Sequence, residues 1–343
     1  MKTNRFPYGI LAALGATAFF LASCEKEVDF TGQLPGPKIV LNSFVEPGVP
    51  ITAAVSRSWN IAENNGPYPL AGAEVLLYIN NILQPPMQPY VPPILPDGHP
   101  TGRPPAWTHV SPSAAGEGDI IRMVAKFTGY PEVSAETTVP GKATILSVDT
   151  VRFNEQGTPN HMRFLIRFKD LEAGKKNYYR LVLECEISDD NVHWILSSSS
   201  PYVNYNRDAA LSEGFKDAAG ELLGTGADNI YGLFTDNLFD GKEYTLNISF
   251  LPEYTGETDW TFDTGTGQLV PSGKLRYVRY LFKLVALSPS AYMYLKSRTF
   301  YDANGDGDIA AEPSAIYNNI QGGLGILGAF QTDTIRIHMP LNN

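Results

Sequence analysis

The run from Asp302 to Asp308, Asp-Ala-Asn-Gly-Asp-Gly-Asp, sets oxygen-bearing side chains at alternate positions with a glycine sixth, the pattern of an EF-hand-like calcium loop. Asp302, Asn304, Asp306 and Asp308 would be the ligands. The twelfth position, where a bidentate glutamate should close the coordination sphere, is Pro313, and Glu312 falls one residue early. Asp, Asn and Gly also tolerate turn and left-handed backbone, so a polar turn explains the composition without any metal and is the favoured reading. A second chemistry is stacking. Trp59, between Ser58 and Asn60, and Trp260, after Asp259, stand in polar stretches that read as loops. Loop indoles can cover a sugar ring or a peptide side chain, with Tyr254 and Asp259 adding hydrogen bonds, or can fold back onto the core.

Other catalytic signatures are missing or misplaced. His99, His109, His161, His193 and His338 show no HExxH spacing, and no GxSxG elbow accompanies them. A triad assembled from distant residues would leave no such mark, so a tethered hydrolase stands as the weakest reading. Gly323-Leu324-Gly325-Ile326-Leu327-Gly328 spells the dinucleotide fingerprint, which works only between a strand and a helix of a parallel βαβ unit. In a β context those glycines serve close backbone packing or a bulge. The formal charge of −10, with no basic run, argues against a nucleic-acid partner.

Lys2 and Arg5 precede an apolar run from Ile10 to Leu21, too short to span a bilayer as a helix. Residues 1–23 therefore read as a signal peptide. Leu21-Ala22-Ser23-Cys24 resembles the lipobox of bacterial lipoproteins, in which small residues admit the peptidase and the cysteine thiol takes a diacylglyceryl group. Cleavage would leave a lipid on Cys24, anchor the chain to the membrane, and remove two cations and no acid, taking the charge from −10 to −12. Glu25, Lys26, Glu27 and Asp29 resemble the charged export signal that sends many Bacteroidota lipoproteins to the outer face of the outer membrane. Residues 24–36 then form a lipidated tether. With Cys24 acylated, Cys185 has no disulfide partner, and its alternation with Leu181 and Leu183 places it in a core.

The elements that must position these residues are strands. Gly 31 and Pro 26 are high for a helical chain and usual where short strands meet in turns, while 43% apolar residues can build a real core. The fold class is all-β, with two β-sandwich units. Residues 37–140 carry short apolar runs at immunoglobulin-like spacing, and Thr138-Val139-Pro140-Gly141 breaks the pattern. Residues 141–343 form a larger sandwich with longer strands, such as Met162 to Phe168 with Met162, Phe164, Ile166 and Phe168 on one face. Ser288-Pro289 looks like an N-cap followed by proline at the first helical position, so one helix should run from Pro289 to about Phe300. Nine prolines between 85 and 105 should forbid regular strand pairing, leaving a surface loop. There Met87, Tyr90, Ile94 and Trp107 could offer a stiff apolar contact to a partner.

Several segments together carry a family likeness: the lipobox, Ala71 to Tyr78, Ala135 to Pro140, Asp236-Asn237-Leu238-Phe239-Asp240-Gly241-Lys242, and Asn318 through Phe330. They are similar to a Bacteroidota outer-membrane lipoprotein family classed as a domain of unknown function. Members of that family are often encoded beside TonB-dependent receptors. The resemblance implies an accessory role in capturing or importing nutrients; with the anchor at Cys24 and the loop indoles, the expectation is a cell-surface, non-catalytic accessory that binds a glycan, a peptide or a receptor complex. It supplies no catalytic residues. A structural or adhesion module of the envelope is the alternative reading.

Overall fold

In a computed structural model of the chain, the described residues are 36–59, 68–90, 108–155, 158–188, 190–196, 203–213, 229–250, 261–263, 268–270, 277–304 and 315–340. The longer strands of the first half are β1 (Ile39–Val45), β2 (Pro50–Arg57), β3 (Glu74–Ile79), β4 (His109–Ala114), β5 (Ile120–Lys126) and β6 (Val133–Thr138). The second half adds β7 (Thr144–Glu155), β8 (Thr158–Lys169), β9 (Tyr178–Ser188), β10 (Leu233–Thr235), β11 (Glu243–Phe250), β12 (Tyr277–Leu287) and β13 (Leu324–Pro340). Helices α1 (Ala209–Glu213) and α2 (Pro289–Asn304) lie among them. Shorter pairs are named by their ranges.

The strands form because apolar residues alternate. In β8, Met162, Phe164, Ile166 and Phe168 are buried on one face while Arg167 and Lys169 of the other are exposed, as the period of two requires. Cys185 is buried beside Leu181 and Leu183 in β9. At the start of α2 the Ser288 hydroxyl accepts the Ala291 N–H at 3.3 Å, the N-cap that Ser288-Pro289 foretells. The helix runs to Asn304, four residues past the expected end.

A long sheet runs in the order Ile195–Leu196, β9, β12, β13, β1, β2, β4, Gln88–Pro89, with β10 also on β9 and Tyr68–Pro69 on β2. Two four-stranded sheets face it. One, in the order Ile82–Leu83, β3, β5, β6, encloses a core with β1 and β2; the other, β7, β8, β11, Val203–Asn204, encloses a second with β9 and β12. The fold is thus all-β and sandwich-like.

Pro140 falls between these two cores, but the long sheet crosses that division. β13 pairs antiparallel with β12 and parallel with β1, so Pro37–Asn343 is one compact unit. Ile320, Leu327 and Ala329 from the far end of the chain complete the first core. Local periodicity cannot reveal a partner strand that lies 284 residues away, the separation of Asn42 from Ile326. The glycine-rich segment is therefore a strand rather than a phosphate loop. At Gly325, with φ of +117°, a Cβ would collide with the Leu41 carbonyl oxygen, and at Gly323 it would lie 2.6 Å from that of Ile39.

The proline-rich segment differs from expectation at its start. Gln88–Pro89 pairs with His109–Val110, and Met87 is buried in the first core, so Met87 offers no surface to a partner. Proline is compatible with this pairing because Gln88–Pro89 ends the long sheet, where one side of a strand needs no ladder.

Candidate functional site

Among the described residues, carboxylates concentrate where the loops after β8 and β10 meet. β8 ends at Lys169, and Asp170 follows with only 4% of its surface exposed. The turn Asp236–Leu238 follows β10 and brings in Asp236, equally buried, and Asp240, which is exposed. One oxygen from each lies within 4.8 Å of the others. Buried carboxylates require donors, and the two loops supply them. Asp170 accepts from the Tyr179 hydroxyl, from Asn177 Nδ2 at 3.3 Å and from the Gly241 N–H at 2.7 Å. Asp236 accepts the Asn177 N–H at 2.7 Å and pairs with Lys176 at 3.3 Å. Asp240 accepts the Gly174 N–H at 2.7 Å. Gly241 has φ of +70°, and a Cβ there would collide with Ala173 where the loops approach.

Aromatic rings support this cluster from below. Tyr179 stacks on Phe234 with centroids 5.2 Å apart, and Phe168 meets Tyr179 and Phe239 edge-on. Burial first, and then the bond to Asp170, push the Tyr179 hydroxyl well above the ordinary tyrosine range, so it stays a neutral donor. Three carboxylates of this kind could in principle hold a divalent cation. The donors already on them make a clasp that ties the 170–177 loop to the 236–241 loop. The turn residues of Asp236 to Lys242 are visible in the sequence; their meeting with Asp170 is not.

Of the residues singled out from sequence, Trp59 is described just after β2, with 47% of its surface exposed. Cys24, Ile94, Trp107, Tyr254, Asp259, Trp260, Asp306 and Asp308 lie outside the described residues. Asp302 lies in the last turn of α2, which ends at Asn304. Asp302 Oδ2 accepts from the Tyr231 hydroxyl at 2.9 Å and from Arg298 Nε at 3.2 Å. The candidate calcium ligand is thus engaged by a phenol and a guanidinium.

One cluster escapes sequence reasoning. Glu186, Arg279 and His338 are cross-strand partners on β9, β12 and β13. The Arg279 guanidinium pairs with Glu186 and lies 3.8 Å from the Trp194 ring centre. His338 meets Trp194 and Tyr277 edge-on, at 5.2 and 5.6 Å. Nearby in sequence, Asp190 accepts the backbone N–H groups of His193 and Val192, and its other oxygen lies 2.6 Å from His193 Nδ1. These bonds, the His193 N–H foremost, hold the Asp190 carboxyl well below the usual range. Only the strand register brings the first group together, and register is not written in any one segment.

The family described as Domain of unknown function (DUF4249) matches residues 25–336. No curated protein and no solved structure matches the chain. Among the described residues, no helix is long and apolar enough to cross a membrane.

Proposed function

The chain belongs to the family described as Domain of unknown function (DUF4249), and from that premise we propose a surface-exposed outer-membrane lipoprotein that binds substrate or partner for a TonB-dependent nutrient importer. The observation that carries this reading is Leu21-Ala22-Ser23-Cys24 in register behind a basic segment and an apolar run. Each acyl methylene buried in the bilayer contributes about 0.8 kcal/mol, and two or more chains hold where one is marginal. The exposed indole of Trp59 supports a binding role toward a sugar ring or a peptide side chain. A calcium ion forms no part of this reading, because Asp302 already accepts from Arg298 and Tyr231.

The test is purification of the protein from its own membranes in detergent. Mass spectrometry is expected to find an acylated Cys24, and a TonB-dependent receptor should copurify. A free Cys24 thiol, or a preparation without the receptor, would count against the proposal. Calorimetry with glycan and peptide panels then tests capture, which Trp59→Ala should weaken about tenfold if the indole stacks on the ligand. A structural or adhesion module is the second reading. It is favoured by Ile82 and Leu83, 67% and 55% exposed beside a turn held by the positive φ of Asn80 and Asn81. Receptor retention that persists in Trp59→Ala, with flat calorimetry for the wild type, would select it.

A further inference from the structure

We infer that the segment from Ile320 to Ala329 is a folding latch, without which the first sandwich cannot close. The segment touches both sheets of that sandwich. On one side, Leu324–Ala329 pairs in parallel with Val40–Val45 of β1, and the Ile326 N–H donates to Asn42 Oδ1 at 3.2 Å. On the other side, Gln321 exchanges both backbone hydrogen bonds with Ser134 of β6, at 2.8 and 3.2 Å. Between these contacts Ile320, Leu327 and Ala329 are buried in the first core.

Several groups hold the latch in place. The Asn319 side chain accepts the Leu327 N–H and donates to the Leu327 carbonyl, both at 2.9 Å. Ser290, in the first turn of α2, donates to the same carbonyl at 2.9 Å and lies 3.1 Å from the Thr137 hydroxyl of β6. Ser288 donates its N–H to the Ala329 carbonyl at 2.8 Å and accepts the Ala329 N–H through its hydroxyl at 2.9 Å. Ser288, Ser290 and Asn319 all follow Leu287 in the chain, whereas β1 to β6 end at Thr138. The parallel pairing also closes a very long loop, whose entropy cost must be met before its contacts contribute. The first half therefore remains open at β1 and β6 until residues 320–329 arrive, while the second core draws Ile335, Ile337 and Met339 from the later part of β13 and includes no residue of 320–329.

Pulse-labelled hydrogen exchange during refolding of the full chain tests this order without any mutation. Amides of β1, β2 and β6 are expected to gain protection in the same kinetic phase as those of Leu324–Ala329, and those of β8 and β11 in the same phase or an earlier one. Protection of β1 and β2 before Leu324–Ala329 would overturn the inference. In a second measurement, full-chain Gly325→Val should speed native-state exchange at β1 and β6 by at least about 100-fold and leave β8 and β11 within about threefold of wild type. Unchanged exchange at β1, or equal acceleration along the whole chain, would also overturn it.

Discussion

The two cores are made of different material. Around β1, β2, β3 and β5 the described buried side chains are aliphatic, from Ile39 and Leu41 to Leu77 and Met123, and Phe127 and Tyr130 only touch the margin. Between β8, β9, β11 and β12 the core is built on rings: Phe164 stacks on Phe250 at 5.0 Å and lies 4.8 Å from Phe282, with Tyr280 edge-on at 5.8 Å. The buried polar groups differ accordingly. The aromatic half holds Asp170, Asp208 and Asp236, and tyrosines can reach such acids because a ring buries its body while presenting a hydroxyl at its rim. Tyr179 does this for Asp170 and Tyr244 for Asp208, at 3.3 Å in the second case. The aliphatic half holds the imidazole of His109, between Thr108 and the Ala73 carbonyl. Acid clasps and rings therefore go together, and the half without rings relies on a distant strand to close it.

The contrast can be broken most forcefully at the rings. Phe164→Ala is expected to cost about 4 kcal/mol in urea denaturation, against about 3 kcal/mol for Leu77→Ala, because it removes more volume and three ring contacts. Equal losses would mean that stacking adds nothing beyond buried area. Next in size, Tyr179→Phe keeps the ring and removes one donor from Asp170. A loss of about 1–3 kcal/mol is expected for an under-satisfied buried carboxylate, and less than about 0.5 kcal/mol would mean that Asn177 and Gly241 suffice.

The smallest effect sharpens the comparison through pH. Burial outweighs the backbone bonds to Ala73 and Ala71 and holds His109 below its ordinary value of 6.5. As pH falls, the unfolded chain takes up the proton first, so the contribution of His109 is full above about 6.5 and is lost as pH drops from there toward the folded value. Thermal melts between pH 7.5 and 5.5 should show this slope in the wild type and lose part of it in His109→Gln, which can still donate to Ala73. An unchanged slope in the variant would assign the effect elsewhere.

How much was legible in the sequence depends on the range of the signal. The alternation of Met162 to Phe168, the core position of Cys185 and the start of α2 at Ser288-Pro289 all follow from steric rules acting over a few residues. The glycines from 323 to 328 were readable as close backbone packing, though not as packing against β1. The clasp between Asp170 and Gly241 joins residues 71 apart, and the Glu186–Arg279–His338 row depends on the register of three strands. Neither leaves a local trace. Met87 shows the opposite error, since a proline-dense composition concealed one buried apolar side chain.

By itself, then, the chain's order of residues determined strand, turn and helix, the face each strand buries, and the address-like pattern ending at Cys24. Only the tertiary structure decided that β13 lies between β12 and β1, that residues 320–329 complete a core begun at Ile39, and which acids meet. The physical reason is that backbone sterics and side-chain alternation act within a few residues, whereas the choice of partner strand minimises exposed apolar surface and unpaired backbone over the whole chain.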